Sequence, residues 1–124
     1  MYEIEVQDEF SAVHFLKLYD GSWEPRHGHN WKVSVVMRSE KLDKMGVVAD
    51  FEQLKPALKK VLSGFSERAF NDHSDFADEK LNPSTENIAK RICERLGGEF
   101  KSDNARIVKV TVWETPDASA SFYA

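Results

Sequence analysis

The order of apolar patterns along the 124 residues predicts an α+β fold. Apolar and polar side chains alternate near both ends of the chain, which is the two-residue period of a half-buried strand. Between these ends, two segments repeat apolar residues at the spacing of an amphipathic helix. The order strand–strand–helix–helix–strand–strand therefore predicts a four-stranded antiparallel sheet with two helices on one of its faces.

The first two strands are predicted from alternation in the N-terminal third of the chain. Apolar and polar residues alternate over residues 2–7, and the alternation resumes over 10–16, so both pieces are expected to be extended. Residues 19–26 include glycine, serine and proline and are predicted to form a loop. The alternation returns over residues 29–37, which predicts the second strand.

The first helix is predicted to follow Asp50, which forms a capping box with Gln53 three residues later. Pro56 lacks a backbone donor and crowds the preceding turn, so we expect a late start or a kink. Residues 63–83 are polar and are predicted to be irregular. The apolar face predicted for this helix consists of Phe51, Leu54, Leu58, Val61 and Leu62.

The second helix is predicted to begin with Ser84 or Thr85 as its N-cap and to end at Gly97-Gly98. The only cysteine of the chain, Cys93, falls on its apolar stripe, so we interpret this residue as a packing residue rather than a nucleophile. The predicted stripe consists of Ile88, Ala89, Ile92, Cys93 and Leu96.

The last third of the chain predicts two more strands, the second over residues 118–123. Val108, Val110 and Val112 share one face of the first of them, and Glu114 ends that face. A carboxylate there is expected either to be solvated or to hold a polar ligand. A four-stranded open sheet also leaves two edges, and pairing between subunits into a closed barrel is one way to cover them.

Composition and charge limit the classes of function. The length fits one domain spanning residues 1–124, and the formal net charge of −4 leaves no broad basic surface for nucleic acid. No apolar run reaches the roughly 18–20 residues that cross a bilayer, and the acidic N-terminus does not resemble a signal peptide. The single cysteine excludes an internal disulfide and suits a reducing cytoplasm. A local basic pocket for a phosphorylated small molecule remains possible.

Three of the four histidines lie within the first 29 residues and form a candidate metal site. Side chains two apart in a strand share a face, so His27 and His29 are expected to project together, with His14 added from a neighbouring strand. Three nitrogen ligands with one open position are typical of a catalytic zinc site, since structural sites are closed by four ligands. On the residues alone, hydrogen-bonded core or surface histidines remain the alternative.

Five short motifs run along nearly the whole chain: Phe10-Ser11-Ala12-Val13-His14, His27-Gly28-His29-Asn30-Trp31, Gly46-Val47-Val48-Ala49-Asp50-Phe51, Asn82-Pro83-Ser84-Thr85-Glu86-Asn87 and Val112-Trp113-Glu114-Thr115. In this order and spacing they resemble the 6-pyruvoyltetrahydropterin synthase and 6-carboxytetrahydropterin synthase family, which has the tunnelling fold. The resemblance implies a homotrimer or homohexamer, with sites between subunits and a sheet that closes into a β-barrel.

The resemblance also implies a pterin substrate, usually 7,8-dihydroneopterin triphosphate, and Zn²⁺ as the cofactor. Zinc would hold and acidify the side-chain hydroxyls, and a general base would move protons along the side chain. The glutamate of the last motif would accept hydrogen bonds from the ring. The implied site residues are His14, His27 and His29 for zinc, and Glu114, Thr85 and Ser84 for the pterin.

The chain departs from the family pattern at two places. The synthases carry a catalytic cysteine a few residues before H-G-H, whereas this chain has Glu24 there. They also carry an Asp-His dyad before L-N-D, and here Ser66-Glu67 occupies that position. An Asp72-His73 pair lies six residues later, so either a re-registered loop brings His73 to the site or the dyad is absent. The spacing favours absence.

One branch of the family has a glutamate just ahead of H-G-H and cuts the dihydroneopterin side chain to give 6-hydroxymethyl-7,8-dihydropterin. Resemblance to that branch predicts a zinc-dependent pterin lyase with Glu24 as the base and Asp72 and His73 as further candidate catalytic residues. Three alternatives stay open: a 6-carboxytetrahydropterin synthase of the 7-deazaguanine (queuosine) route, a non-catalytic pterin- or purine-binding module, and a zinc hydrolase unrelated to pterins.

Overall fold

The computed structural model describes all 124 residues and places four strands in one antiparallel sheet of order β1-β2-β3-β4. Each strand pairs with its neighbour in the chain, which confirms the predicted sheet. The first strand is continuous, and the last has the predicted bounds. The strands are β1 Tyr2–His14, β2 His27–Ser39, β3 Arg106–Thr115 and β4 Ala118–Tyr123.

Two long helices and two short ones connect β2 to β3. The long helices pack on one face of the sheet through a single cluster of 23 buried hydrophobic residues. The apolar stripe predicted for the second long helix is entirely buried. None of the helices has both the length and the apolar character needed to cross a bilayer. The helices are α1 Phe51–Ser63, a 3₁₀ helix Phe70–Asp72, α2 Ser74–Ala77 and α3 Thr85–Glu99.

Helix α1 begins at Phe51, so the late start expected from Pro56 is wrong. Asp50 caps the helix, because its carboxylate accepts a hydrogen bond from the Glu52 N–H at 2.9 Å. Pro56 and Glu52 are both exposed, so the carbonyl that loses its helical partner is open to water. Phe51 is 44% exposed and does not belong to the buried face predicted for it.

Residues 63–83, predicted to be irregular, contribute three aromatic side chains to the core. Phe65, Phe70 and Phe76 are each no more than 2% exposed. Their rings pack on one another, with centroids 5.1 Å apart for Phe65–Phe70 and 5.6 Å apart for Phe70–Phe76. Their spacing of five and six residues matches neither the helical nor the strand period, so the apolar pattern alone does not show that they are buried.

Helix α3 continues through Gly97 and Gly98 to Glu99, so its predicted end is wrong. Glycine often ends a helix by taking a positive φ, but in this chain only Gly21 and Gly46 do so. The helix ends instead where the Phe100 N–H donates to the Leu96 carbonyl at 2.8 Å.

The register between β1 and β2 brings the candidate metal ligands together. His14 pairs with His27 and Ala12 pairs with His29 across the two strands. Trp31 follows on the same face, is fully buried, and donates its indole N–H to the Ala12 carbonyl at 3.1 Å. Its ring centroid lies 4.9 Å from that of His14 and 5.3 Å from that of His29. Trp31 therefore forms an apolar floor beneath the two imidazoles.

Trp31→Phe is expected to lower the free energy of unfolding by about 2 kcal/mol, because it leaves a cavity and removes a buried hydrogen bond. Urea denaturation followed by circular dichroism measures this change. Trp23→Phe is the matched control, since Trp23 is 54% exposed and exposed substitutions usually change stability by less than about 0.5 kcal/mol. Equal losses for the two variants would contradict the assigned role of Trp31.

Candidate active site

Four possible metal ligands converge where β1, β2 and β3 meet. His14, His27, His29 and Glu114 each place one ligand atom within 4.8 Å of all the others. The three imidazole centroids are 4.5, 5.0 and 5.3 Å apart. The structure thus brings together the three residues predicted to bind metal, and it adds Glu114, which was predicted to bind the substrate.

Proline carbonyls orient two of the three imidazoles. The Nδ1 atom of His14 donates to the Pro83 carbonyl at 2.9 Å, and that of His27 donates to the Pro25 carbonyl at 2.8 Å. With the proton on Nδ1, a neutral ring carries its lone pair on Nε2. Metal-binding histidines are commonly held in this way by a carbonyl partner on the second nitrogen. Both rings are therefore prepared to bind a cation through Nε2.

The centre of the cluster contains more lone pairs than protons. The Nε2 atoms of His14 and His29 are buried and make no hydrogen bond. Oε1 of Glu114 lies 2.9 Å from the first and 3.5 Å from the second, but neither contact has hydrogen-bond geometry. A carboxylate oxygen facing buried nitrogen lone pairs needs a cation or a proton between them. Imidazole nitrogens and a carboxylate oxygen are donors that suit a divalent transition metal.

Electrostatics keeps His29 in the form that binds metals. Burial lowers the pKa of His29 below its usual value of 6.5, and the carboxylate of Glu114 opposes this shift. Protonation of His14 or His27 would lower the same pKa further. His29 is therefore neutral at pH 7, and only the neutral imidazole can ligate a metal.

Two neighbouring clefts open beside the histidines. The larger, about 590 Å³, is lined by His29, Glu114, Lys32 and Trp113 among others. It lies where the β2–β3 pairing ends at the Lys32–Trp113 pair. The smaller, about 340 Å³, shares the His29 wall and continues toward β1. A flat ring can thus lie against Glu114 while a substituent reaches past His29.

Glu24 lies half-buried in the loop before β2, three residues ahead of His27, and its charge opposes the lowering of the His29 pKa. Its Oε1 accepts a hydrogen bond from the Leu16 N–H at 2.9 Å. Its other carboxylate oxygen makes no hydrogen bond within the chain. The carboxylate predicted to act as the base therefore has one anchored oxygen and one free oxygen.

The Asp72-His73 pair lies apart from this cluster. Nδ1 of His73 accepts a hydrogen bond from the Asp75 N–H at 3.1 Å and so caps α2. The His73 ring packs on Phe65 with centroids 4.6 Å apart, and its burial lowers the pKa of the imidazole. Asp72 lines a different groove, beside Trp23. Within one chain, neither residue is brought to the three metal-site histidines.

The two residues predicted to contact the ring lie at the start of α3. The Ser84 hydroxyl accepts a hydrogen bond from the Asn87 N–H at 3.2 Å and caps the helix, as predicted. Thr85 is half-buried in the first turn. The carbonyl of Pro83, the residue before Ser84, is the one that orients His14. This end of α3 therefore lies beside the histidine cluster.

Glu67 lies close to the candidate site, and the sequence reasoning assigned it no role. It has a positive φ of 61°, which is uncommon for a residue other than glycine, and its N–H donates to the Ser11 carbonyl at 2.7 Å. Together with Arg68 it lines the smaller cleft beside His29. The family resemblance implies that Ser66-Glu67 takes the place of the dyad, and this position is the signal that could have found it.

Comparison with known proteins identifies the family. The family model for 6-pyruvoyl tetrahydropterin synthase matches residues 3–124. The chain belongs to this family. This result confirms the family assignment made from the five motifs. It also excludes the alternative that the chain belongs to an unrelated family of zinc hydrolases.

Two curated relatives and one solved structure define the neighbourhood of the chain in this family. It is 34% identical to dihydroneopterin monophosphate aldolase of Pyrococcus furiosus over 105 residues, which cover 85% of this chain and 82% of that protein. It is 30% identical to 6-carboxy-5,6,7,8-tetrahydropterin synthase of Bacillus subtilis over 120 residues, which cover 93% of this chain and 80% of that protein. The structure of Caenorhabditis elegans 6-pyruvoyl tetrahydropterin synthase superposes with a TM-score of 0.84 at 27% identity. The superposition covers 99% of this chain and 95% of that one.

His14→Ala is expected to abolish stoichiometric binding of a divalent metal, because it removes one of three imidazole ligands, and the most deeply buried of them. The measurement is metal content by mass spectrometry after loading and dialysis, with circular dichroism as the check on folding. His73→Ala is the matched control and should retain wild-type metal content. A folded His14→Ala variant that keeps its metal would show that the cluster is not the binding site.

Proposed function

We propose that this protein is a zinc-dependent pterin lyase that cleaves the side chain of a 7,8-dihydroneopterin phosphate to give 6-hydroxymethyl-7,8-dihydropterin. The observation that carries the proposal is the carboxylate of Glu24, anchored on the Leu16 N–H two residues after His14, where the family's synthases have a thiol. The Pyrococcus relative, named for its action on dihydroneopterin monophosphate, supports this reaction type. Its name makes dihydroneopterin monophosphate a second candidate substrate, beside the triphosphate expected from the family resemblance.

Zinc is the ion we assign to the cluster, held by His14, His27 and His29. When bound, it would acidify the hydroxyl groups of the substrate side chain. We assign Glu114 to the pterin ring, because its carboxylate lines the larger cleft and can accept two hydrogen bonds from the ring N–H and amino groups. Thr85 and Ser84 would contact the ring from the start of α3.

The reaction is a retro-aldol cleavage with Glu24 as the base. Its free oxygen takes the proton of the C2′ hydroxyl, and the C1′–C2′ bond breaks as C2′ becomes an aldehyde. The bonding electron pair moves into the ring imine of the dihydropterin. Glu24 then returns the proton to C1′, which gives the hydroxymethyl product. A carboxylate held partly out of water is suited to both proton transfers.

A 6-carboxytetrahydropterin synthase is the second candidate, favoured by the 30% identity to the Bacillus enzyme. The position of the only cysteine argues against a route that needs a thiol at the site. Cys93 is buried on α3, and burial raises the pKa of its thiol. It therefore cannot replace the cysteine that the family's synthases carry before H-G-H.

Glu24→Gln is expected to reduce turnover by roughly 10²–10⁴-fold, because the amide cannot accept the proton. Zinc content should be unchanged. The assay incubates zinc-loaded protein with dihydroneopterin, its monophosphate or its triphosphate and identifies products by mass. Glu114→Gln serves as the contrast, since it should weaken pterin binding while leaving zinc in place.

Each product mass decides between the candidate functions. Release of 6-hydroxymethyl-7,8-dihydropterin supports the lyase, whereas 6-carboxytetrahydropterin supports the second candidate. Zinc-loaded protein that binds pterin and leaves all three compounds unchanged would instead be a binding module.

We also propose that the sheet closes into a β-barrel in a homotrimer or homohexamer. β4 pairs only with β3 and leaves its outer edge open, and the sheet face opposite the helices has no covering layer. That face is polar and internally bonded, as in the Ser34–Glu5 and Thr111–Ser121 contacts at 2.6 and 2.7 Å. Light scattering should give three or six times the chain mass of 14.2 kDa. A monomer mass across micromolar concentrations would refute the assembly.

A further inference from the structure

The chain that follows His14 is held by side chains where β1 ends. The Phe15 N–H donates to Oδ1 of Asn71 at 3.1 Å, and the Phe15 carbonyl accepts from Nδ2 of the same residue at 2.8 Å. Asn82 holds Lys17 in the same way, at 2.8 and 3.0 Å. A carboxamide offers one acceptor and one donor group side by side, as a backbone peptide does. The two asparagines therefore replace a neighbouring strand.

The residue between them, Leu16, is held from the opposite edge by Glu24. Oε1 of Glu24 accepts from the Leu16 N–H at 2.9 Å, and the Glu24 N–H donates to the Leu16 carbonyl at 2.9 Å. Successive residues of an extended chain direct their backbone hydrogen-bonding groups to opposite edges. The two asparagines and Glu24 thus grip opposite sides of residues 15–17, and the path of this segment determines where the carboxylate lies.

Both asparagines are anchored in the body of the protein. Asn71 belongs to the 3₁₀ helix and follows Phe70, which is 1% exposed. The backbone carbonyl of Asn82 accepts from Nδ2 of Asn87 at 2.9 Å, which ties it to the first turn of α3. The hydrogen bonds to residues 15–17 therefore tie this segment to the 3₁₀ helix and to the first turn of α3.

We propose that Asn71 and Asn82 are positioning residues that set the carboxylate of Glu24 against the histidine cluster. Oε1 is committed to the Leu16 N–H, so Oε2 is the oxygen left to take a proton from the substrate. This inference rests on the proposed function, in which Glu24 is the base. It also gives a role to Asn82, a motif residue that takes no part in the proposed metal or ring binding.

The decisive variant is Asn71→Ala, tested with the zinc-loaded protein in the product assay. It should lower kcat by roughly 10–100-fold, because a displacement of about 1 Å at a catalytic group has effects of this size. KM and zinc content should stay within about twofold of wild type, since Glu114 and the histidines are untouched. In the Glu24→Gln background, Asn71→Ala should cause no further loss, because a residue that acts through Glu24 has nothing left to position.

Asn104→Ala is the matched control. The Asn104 amide also binds backbone carbonyls, those of Val47 and Val48, at 3.4 and 3.2 Å. It also contacts Ser39, at the end of β2 remote from the histidines. This variant should lower the melting temperature as the site variants do but keep the wild-type kcat. A matching fall in kcat would show that general destabilisation explains the losses.

Asn82→Ala has a second expected signature. The carbonyl of the next residue, Pro83, orients His14, so this variant should weaken zinc affinity in a chelator competition assay as well as lower kcat. If Asn71→Ala keeps the wild-type kcat, or if its loss adds fully to that of Glu24→Gln, the positioning role is wrong and the proposed function survives. If Glu24→Gln itself keeps the wild-type kcat, the proposed function fails first.

Discussion

The antiparallel register of β1 against β2 is the constraint on which the rest of the site depends. It places His14 opposite His27 and Ala12 opposite His29, and the rings of His14 and His29 pack on the buried ring of Trp31. Because side chains in a strand alternate between faces, a shift of one residue would turn one set of histidines away from the other. The buried side chains Val6, Phe10 and Ala12 share the face of His14 and fix this register, so core packing and the geometry of the histidine cluster have the same cause.

The histidine cluster with Glu114 has more hydrogen-bond acceptors than donors. Two imidazoles have their protons committed to proline carbonyls, and a carboxylate oxygen stands 2.9 Å from one of the remaining nitrogens. Such a cluster is electrostatically incomplete without a cation. Close to it, polar side chains make hydrogen bonds that a neighbouring strand would otherwise supply. Asn71, Asn82 and Glu24 together bind the backbone of residues 15–17. The catalytic proposal follows from this combination of a rigid acceptor cluster and an anchored carboxylate with one free oxygen.

Much of the fold was predictable because strands and amphipathic helices have regular periods. The final strand, the N-cap of α3 and the buried stripe of Cys93 and its neighbours agree with the prediction. The failures have specific causes. Pro56 was tolerated because the carbonyl it leaves unpaired faces water, and Gly97-Gly98 kept ordinary helical φ values inside α3. Phe70 and its aromatic neighbours were missed because they are spaced without a period, and only three-dimensional packing brings them together.

The sequence by itself determined the fold class and the family and predicted that His14, His27 and His29 lie together, because these depend on periodicity and on short motifs with fixed spacing. Tertiary structure decided how the remaining residues are used. It brought Oε1 of Glu114 within 2.9 Å of Nε2 of His14 and used His73 as the cap of α2. It also bound Asn71 and Asn82 to residues 15–17, the segment on which Glu24 is anchored. These relations join residues up to about a hundred positions apart, and only the packing of the helices on the sheet sets such distances.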